Sequence, residues 1–210
     1  MNSLDEHLID EQARIIKLLT PPFFDGKLQP GFIKGYLRGI RENGGQYTHA
    51  ATWVVIANAI MGRGDRAFEL FQMLNPITHT SSPSGVRTYM GEPYALCGDV
   101  YGVDPHKGRA GWSWYTGSSS WLYQAGINHI MGIKLAGNFL KISPSVPKSW
   151  SDFSIKLSLK NEIKINYKNP QGVESGIKSI TVNGDMIDGD TIDLDRYSDI
   201  DKLNVTVIMG

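Results

Sequence analysis

Near Gly137 the hydrophobic pattern of the chain changes period, and that switch limits its fold more than any other feature. Upstream, apolar residues recur at helical spacing. Downstream, Phe153, Ile155, Leu157 and Leu159 alternate with polar residues, Lys160-Asn161 makes a turn, and Ile163, Ile165 and Tyr167 resume the alternation. A period of two puts one side of a strand in a core and the other in water, whereas a period of 3.6 does the same for a helix. Further strands are predicted over 177–182, 191–194 and 203–208. Asn183-Gly184, set between apolar runs, signals a type I′ hairpin. The expected fold class is therefore α then β. Residues 1–136 form the helical part and 137–210 a small antiparallel, sandwich-like β domain, with the Pro- and Ser-rich stretch 144–150 as the bridge.

Within the helical part, Leu8, Ile9, Ile15, Ile16, Leu18 and Leu19 among charges predict an amphipathic helix over 4–19, stopped by Pro21-Pro22. A buried helix is predicted from Ala50 to about Gly62. The next begins at Asp65, sets Ala67, Leu70, Phe71 and Leu74 on one face, and ends at Asn75-Pro76. Arg63-Gly64-Asp65 looks like a cell-adhesion triplet but reads more simply as the turn between two helices. The stretch 76–116 is aromatic, rich in Pro and Gly, and expected to be mostly loop, a length that usually means function or packing against something else. A last helix is predicted over 118–133, with Trp121, Leu122, Ala125 and Ile130 as core contacts.

The bulk numbers exclude several classes. With 210 residues the chain can bury a real core as one large or two small domains. Lys plus Arg and Asp plus Glu both number 21, so no strong field recruits nucleic acid or acidic membranes. Cys97 is the single cysteine, which excludes an internal disulfide and fits a reducing compartment. No apolar run approaches the about 20 residues that span a bilayer, and the acidic N-terminus lacks a signal-peptide pattern. The five histidines are scattered without ligand spacing, so no metal is expected.

Two segments look built for chemistry. Arg41-Glu42-Asn43-Gly44-Gly45-Gln46-Tyr47-Thr48-His49 sets a glycine pair, a capping hydroxyl and a histidine at a helix start, with an arginine upstream. Glycines admit a ligand to the backbone, and a helix N-terminus offers unpaired N–H groups and partial positive charge. That combination suits an anion. A plain turn followed by a satisfied core histidine explains the same string. The second segment, Gly111-Trp112-Ser113-Trp114-Tyr115-Thr116-Gly117-Ser118, again places hydroxyls and glycine before a helix. Thr116 can cap, and the N–H groups of Gly117 and Ser118 can form an anion nest. Tryptophans beside polar groups suit sugar faces, which makes Tyr47, Trp112 and Trp114 candidate sugar contacts. Ordinary core aromatics beside a Ser-rich cap are the competing explanation.

Thr20-Pro21-Pro22-Phe23, Gly31-Phe32-Ile33-Lys34-Gly35-Tyr36, the Arg41–Ala50 block, Leu74-Asn75-Pro76-Ile77, Glu92-Pro93-Tyr94, Asp99-Val100-Tyr101 and Gly111–Gly117 follow one another in a familiar order. Together they resemble the C-terminal part of glycoside hydrolase family ninety-four, the inverting β-glucan phosphorylases and the cyclic β-1,2-glucan synthases, most of all the latter. The resemblance implies the C-terminal helices of an (α/α)6 barrel followed by the small β domain. It implies inorganic phosphate as co-substrate and a β-glucan oligosaccharide as partner, with no other cofactor. An inverting hydrolase needs an acid and a base. A phosphorylase needs only the acid, because phosphate is already anionic and requires positioning. Carried over, the phosphate-binding residues are Arg41, His49, Thr116 and Gly117. Arg41 supplies a permanent charged fork, and His49 binds best when protonated.

One departure accompanies the resemblance. The family's general acid is an aspartate well upstream, and the chain shows no counterpart; Asp99 and Asp104 lie in blocks the family does not use for it. The expectation is a C-terminal piece of such an enzyme, inactive alone, cytoplasmic, and partnered by the missing barrel half. A non-catalytic carbohydrate-binding or scaffold protein that kept the aromatic groove is the alternative, and a decayed gene product is a third.

Overall fold

The computed structural model describes every residue except Asp25, Tyr115 and Thr116. In it α1 (Asn2–His7) is followed by β1 (Ile9–Asp10), β2 (Ile15–Ile16), a 3₁₀ turn over Gly31–Gly35 and β3 (Gln46–Tyr47). Next come α2 (Thr48–Ile60), α3 (Gly64–Leu74), α4 (Pro76–His79), α5 (Pro83–Tyr89) and β4 (Asp99–Val100). Then α6 (Ser118–Gln124) widens into a π-helical turn over Ala125–Ile130. The strands β5 (Ile133–Ala136), β6 (Phe139–Ile142), β7 (Asp152–Ser158), β8 (Glu162–Lys168), β9 (Ser179–Val182), β10 (Asp185–Ile187), β11 (Thr191–Asp193) and β12 (Lys202–Ile208) complete the chain. The α-then-β order is as expected. By contact density the chain divides into one unit of Met1–Val55 with Glu69–Tyr123, and another of Ile56–Phe68 with Gln124–Gly210.

The predicted helix over 4–19 is not formed. α1 stops at His7, and the chain doubles back so that β1 and β2 pair, Ile9 with Ile16 and Asp10 with Ile15. The Asp10 carboxylate accepts the Ala13 N–H at 3.0 Å, and Arg14 adopts the left-handed region at φ 56°. A short polar side chain that binds its own backbone offers an alternative to the helical ladder. Both Ile15 and Ile16 are buried.

α2 is one-sided rather than buried all round: Ala51, Thr52, Val55, Asn58 and Ala59 are covered, while Trp53 and Ile60 are exposed. Its end is a Schellman motif, with Arg63 N–H to the Asn58 carbonyl and Gly62 N–H to that of Ala59, both at 3.0 Å. Gly62 at φ 72° supplies the left-handed residue this requires. In α3, Ala67, Leu70 and Leu74 are buried as the spacing predicts. The stretch 76–116 holds more helix than expected. Asn75 caps α4 through Ile77 N–H at 3.0 Å, Ser82 caps α5 through Gly85 N–H at 3.1 Å, and a proline follows each cap. Proline at the first helical position costs no hydrogen bond, so these prolines start helices instead of interrupting a loop.

In the second unit, β10-β9-β12-β8-β7 form a five-stranded sheet and β11-β6-β5 a three-stranded one. Ile163, Ile165 and Tyr167 of β8, Leu203, Val205 and Val207 of β12, and Ile180 and Val182 of β9 meet Ile133, Leu140, Ile142 and Ile192 of the smaller sheet in one cluster. The pairing departs from the antiparallel expectation at one place: β8 and β12 are parallel from Glu162↔Lys202 to Lys168↔Ile208. A parallel pair needs a long crossover, and β9 to β11 provide it. Asn183 at φ 50° and Gly184 at φ 99° form the predicted I′ turn between β9 and β10. The helix predicted to 133 gives way earlier, because Gly132 at φ 69° turns the chain into β5.

Candidate functional site

The site in the first unit is assembled from a turn, a two-residue strand pair and a loop. Asn43 is fully buried and organises the turn. Its amide donates to the carbonyls of Phe23 and Tyr36, both at 2.9 Å, and its carbonyl oxygen accepts Phe23 N–H at 2.7 Å. This leaves Arg41 in the left-handed region at φ 49°, with its carbonyl accepting Gly45 N–H at 3.2 Å. Gly44 sits at φ 87°, and a Cβ there would lie 2.7 Å from Pro22, so glycine is obligatory. Gln46 is buried beside it and accepts Ile16 N–H at 2.9 Å.

β3 then pairs with β4, Gln46 with Val100 and Tyr47 with Asp99. Thr48 N–H donates to the Gly98 carbonyl at 2.9 Å, which ties the start of α2 to the same strand. His49 therefore stands in the first turn of α2. Its ring packs edge-on to Trp53 at 5.6 Å and tilted against Trp121 at 5.4 Å. From the other side the Gly111–Trp112 loop closes on β4: Gly111 N–H binds the Asp99 carbonyl at 2.9 Å, and Trp112 N–H binds its carboxylate at 3.0 Å.

The result is a cavity of about 240 Å³ lined by Arg41, Tyr47, His49, Gly98, Asp99, Trp112 and Gly117. The Arg41 guanidinium carbon lies 5.4 Å from the Tyr36 ring centre and 5.8 Å from that of Trp112. Such cation–π contact is attractive and ties the guanidinium to both rings. Its Nε also lies 3.8 Å from a Glu42 carboxylate oxygen. Asp99, 4% exposed, has its carboxyl pKa pushed above the usual range by burial; the Trp112 N–H and the Arg41 charge oppose this, and Glu42 adds to it. Chemically, the cavity offers a fixed cation, an imidazole, backbone at two glycines, and aromatic walls.

Five of the seven residues singled out from sequence thus come together: Arg41, Tyr47, His49, Trp112 and Gly117. Thr116 lies outside the described residues. Trp114 does not line the cavity; it is 71% exposed, packs on Tyr94 at 5.9 Å and donates its indole N–H to Glu92 at 3.0 Å. Asp99, Gly98 and the supporting Asn43 and Tyr36 were not foreseen as parts of one site. The signal that bears on Asp99 is the glycine at 111, where a Cβ would fall 2.6 Å from the carboxylate. Among the described residues no group of three His, Cys, Asp or Glu could hold a metal ion. Cys97 is buried and unbridged, with its thiol pushed up by burial.

The profile of the glycosyl hydrolase 94 superfamily, catalytic domain, matches residues 1–132. Cyclic beta-(1,2)-glucan synthase NdvB of Rhizobium meliloti (strain 1021) is 42% identical over 188 residues, covering 87% of this chain and 7% of the synthase. N,N'-diacetylchitobiose phosphorylase of Vibrio furnissii is 32% identical over 212 residues, covering 100% of this chain and 25% of that enzyme. Solabiose phosphorylase of Paenibacillus borealis is 28% identical over 176 residues, covering 82% of this chain and 22% of that enzyme. The chain spans a quarter or less of the length of each of these relatives.

Proposed function

This chain belongs to the glycosyl hydrolase 94 superfamily, and on that premise we propose that its cavity is the phosphate-binding side of an inverting phosphorolysis site acting on β-glucans. The observation that carries the reading is the convergence of Arg41, His49 and Gly117 on one small cavity walled by Tyr47 and Trp112. Arg41 holds the phosphate through charge and a planar donor fork, His49 donates from the ring, and Gly117 closes the cradle from the facing loop, with Thr116 assigned to phosphate by the family resemblance. Held in line with the anomeric carbon, phosphate needs no base to activate it. Tyr47 and Trp112 offer the sugar an aromatic wall.

The general acid comes from outside these residues. Asp99 is the carboxylate in the cavity wall, but it is buried and already accepts the Trp112 N–H. On this reading residues 1–136 contribute C-terminal helices to an (α/α)6 barrel, 137–210 form its small β domain, and the chain alone does not turn over substrate. Its partners are inorganic phosphate, a β-glucan oligosaccharide and the rest of the barrel, in the cytoplasm. Among the described residues no helix is long and apolar enough to cross a membrane.

A second reading, carbohydrate binding without catalysis, draws on the exposed Tyr94–Trp114 pair. Titration calorimetry separates the two. For the first, the chain binds inorganic phosphate, and His49→Ala weakens it by about tenfold or more, the effect of losing one charge-assisted hydrogen bond. In a complete relative the matching substitution abolishes phosphorolysis while sugar binding persists. Phosphate affinity that ignores His49 removes the residue from the site, and glucan binding without any phosphate binding selects the second reading.

A further inference from the structure

The cradle contains a buried carboxylate that neither phosphate binding nor acid catalysis explains. Phosphate is repelled by a negative charge, so an aspartate in the wall works against the ligand unless it does something else. Asp99 makes contacts of a particular kind. Its carboxylate accepts Trp112 N–H at 3.0 Å, its own carbonyl accepts Gly111 N–H at 2.9 Å, and the Arg41 charge beside it in the cavity wall favours the ionised carboxylate. Its backbone is paired with Tyr47 in β3. It therefore shares the cavity wall with Arg41, pairs with the strand that carries Tyr47 and binds the loop that carries Trp112. Gly111 permits this: any larger residue there would put a Cβ within 2.6–2.8 Å of the carboxylate atoms.

We propose that Asp99 is a positioning residue, a clamp that joins the Arg41 turn to the Trp112 loop and so fixes the guanidinium between the two rings before phosphate arrives. This rests on the phosphate reading above and deepens it. A hydrogen bond from the Trp112 loop and the attraction of the Arg41 charge converge on one side chain, and its charge balances Arg41, which also faces Glu42. The other titratable groups around it are Tyr47 and His49 in the cavity and Cys97 two residues before it. Pre-organisation of this sort removes the cost of ordering a long side chain at the moment of binding.

The test is Asp99→Asn, which keeps shape but offers a single acceptor oxygen and no charge. The probe is inorganic phosphate, titrated into the chain. The clamp predicts about fivefold weaker binding although a repelling charge has been removed. It also predicts coupling: with Arg41→Lys already present, adding Asp99→Asn costs little more. A merely structural role would lower the melting temperature and leave the two effects additive. Equal or tighter phosphate binding by Asp99→Asn, or additivity, overturns the clamp. If the unaltered chain takes up no phosphate, the phosphate reading fails on its own terms. Amide hydrogen exchange then decides the clamp: Asp99→Asn and Asp99→Ala should speed exchange at Arg41 and Trp112 above the rise at Ile15, and equal rises at all three overturn it.

Discussion

In the second unit Ile163, Ile165, Val205 and Val207 and their neighbours are sealed in one apolar cluster, each contributed by alternate positions of a regular strand. In the first unit one apolar cluster is Ile15, Tyr89, Cys97, Val100 and Ala110, and that unit also buries the polar groups Asn43, Gln46, Thr48, Thr52, His79, Asp99 and Ser118, against Asn58, Ser145, Asn161 and Asn169 in the second. Apolar burial is non-directional and tolerant of detail, while a buried polar group stabilises only when its partners are placed for it. The first unit thus commits more of its interior than the second to fixing loops at defined angles. Among the described residues, the non-glycine residues Arg14, Arg41, Met90 and Trp114 hold positive φ in the first unit and Asn183 alone does so in the second, and the candidate site lies in the first.

That contrast breaks if the two interiors respond alike to truncation. Ile165→Ala, in the centre of the five-stranded sheet, is expected to cost about 2–5 kcal/mol by denaturant titration. Phosphate affinity of the protein that remains folded should be unchanged. Parallel loss of both would show that cohesion and site are one property. Asn43→Ala is expected to cost about 2–3 kcal/mol, since Phe23 N–H and the Phe23 and Tyr36 carbonyls lose their partner inside the protein. Here phosphate binding should fall by more than tenfold, because Arg41 loses the turn that aims it. A smaller stability effect with an intact site would mean that water replaces the amide and that the staple is dispensable.

The same contrast decides what could be read from sequence. Strands β7, β8, β9, β11 and β12 stand where alternation puts them, because one face of each is apolar and the pattern is local. Parallel pairing of β8 with β12 leaves no local trace, since both orientations bury alternate residues. β5 and β6 escape for a related reason: Leu135 and Phe139 are exposed and blur the alternation. At the N-terminus, Ile15 and Ile16 satisfy a helical stripe as well as a hairpin, and only the Asp10 turn decides. In the site, Arg41, Tyr47, His49, Trp112 and Gly117 are legible because glycine and capping residues mark backbone that must bend beside a helix. Asp99 is not, because its burial depends on Gly111 and Arg41, which are distant in sequence. Trp114 is legible as aromatic but not as outward-facing, since Glu92 and Tyr94 hold it away.

The smallest expected effect compares one histidine from each unit. His79 is buried, stacked on Tyr89 at 4.6 Å, with its Nε2 2.6 Å from the Met73 carbonyl. Burial lowers its pKa below 6.5, and Arg14 adds to the depression. His129 of the second unit is lowered too, by burial and then by Lys134. In each case the folded protein holds fewer protons than the unfolded chain as pH falls through the unfolded value. Stability contributed by the neutral ring is therefore complete above about 6.5 and drains away below it. Asp10 and Glu92, whose pKa values are also lowered, lose their contributions only in more acid solution. Thermal melts between pH 7.5 and 5.5 should accordingly show a decline that His79→Gln reduces, since the amide can still donate to Met73 but does not titrate. His129→Gln should reduce it less, because that ring lines a cavity with Lys134 and Lys141 rather than being sealed against a tyrosine. If His129→Gln flattens the decline and His79→Gln leaves it, the polar interior of the first unit is wetter than its burial implies, and the contrast between the two units loses its electrostatic half.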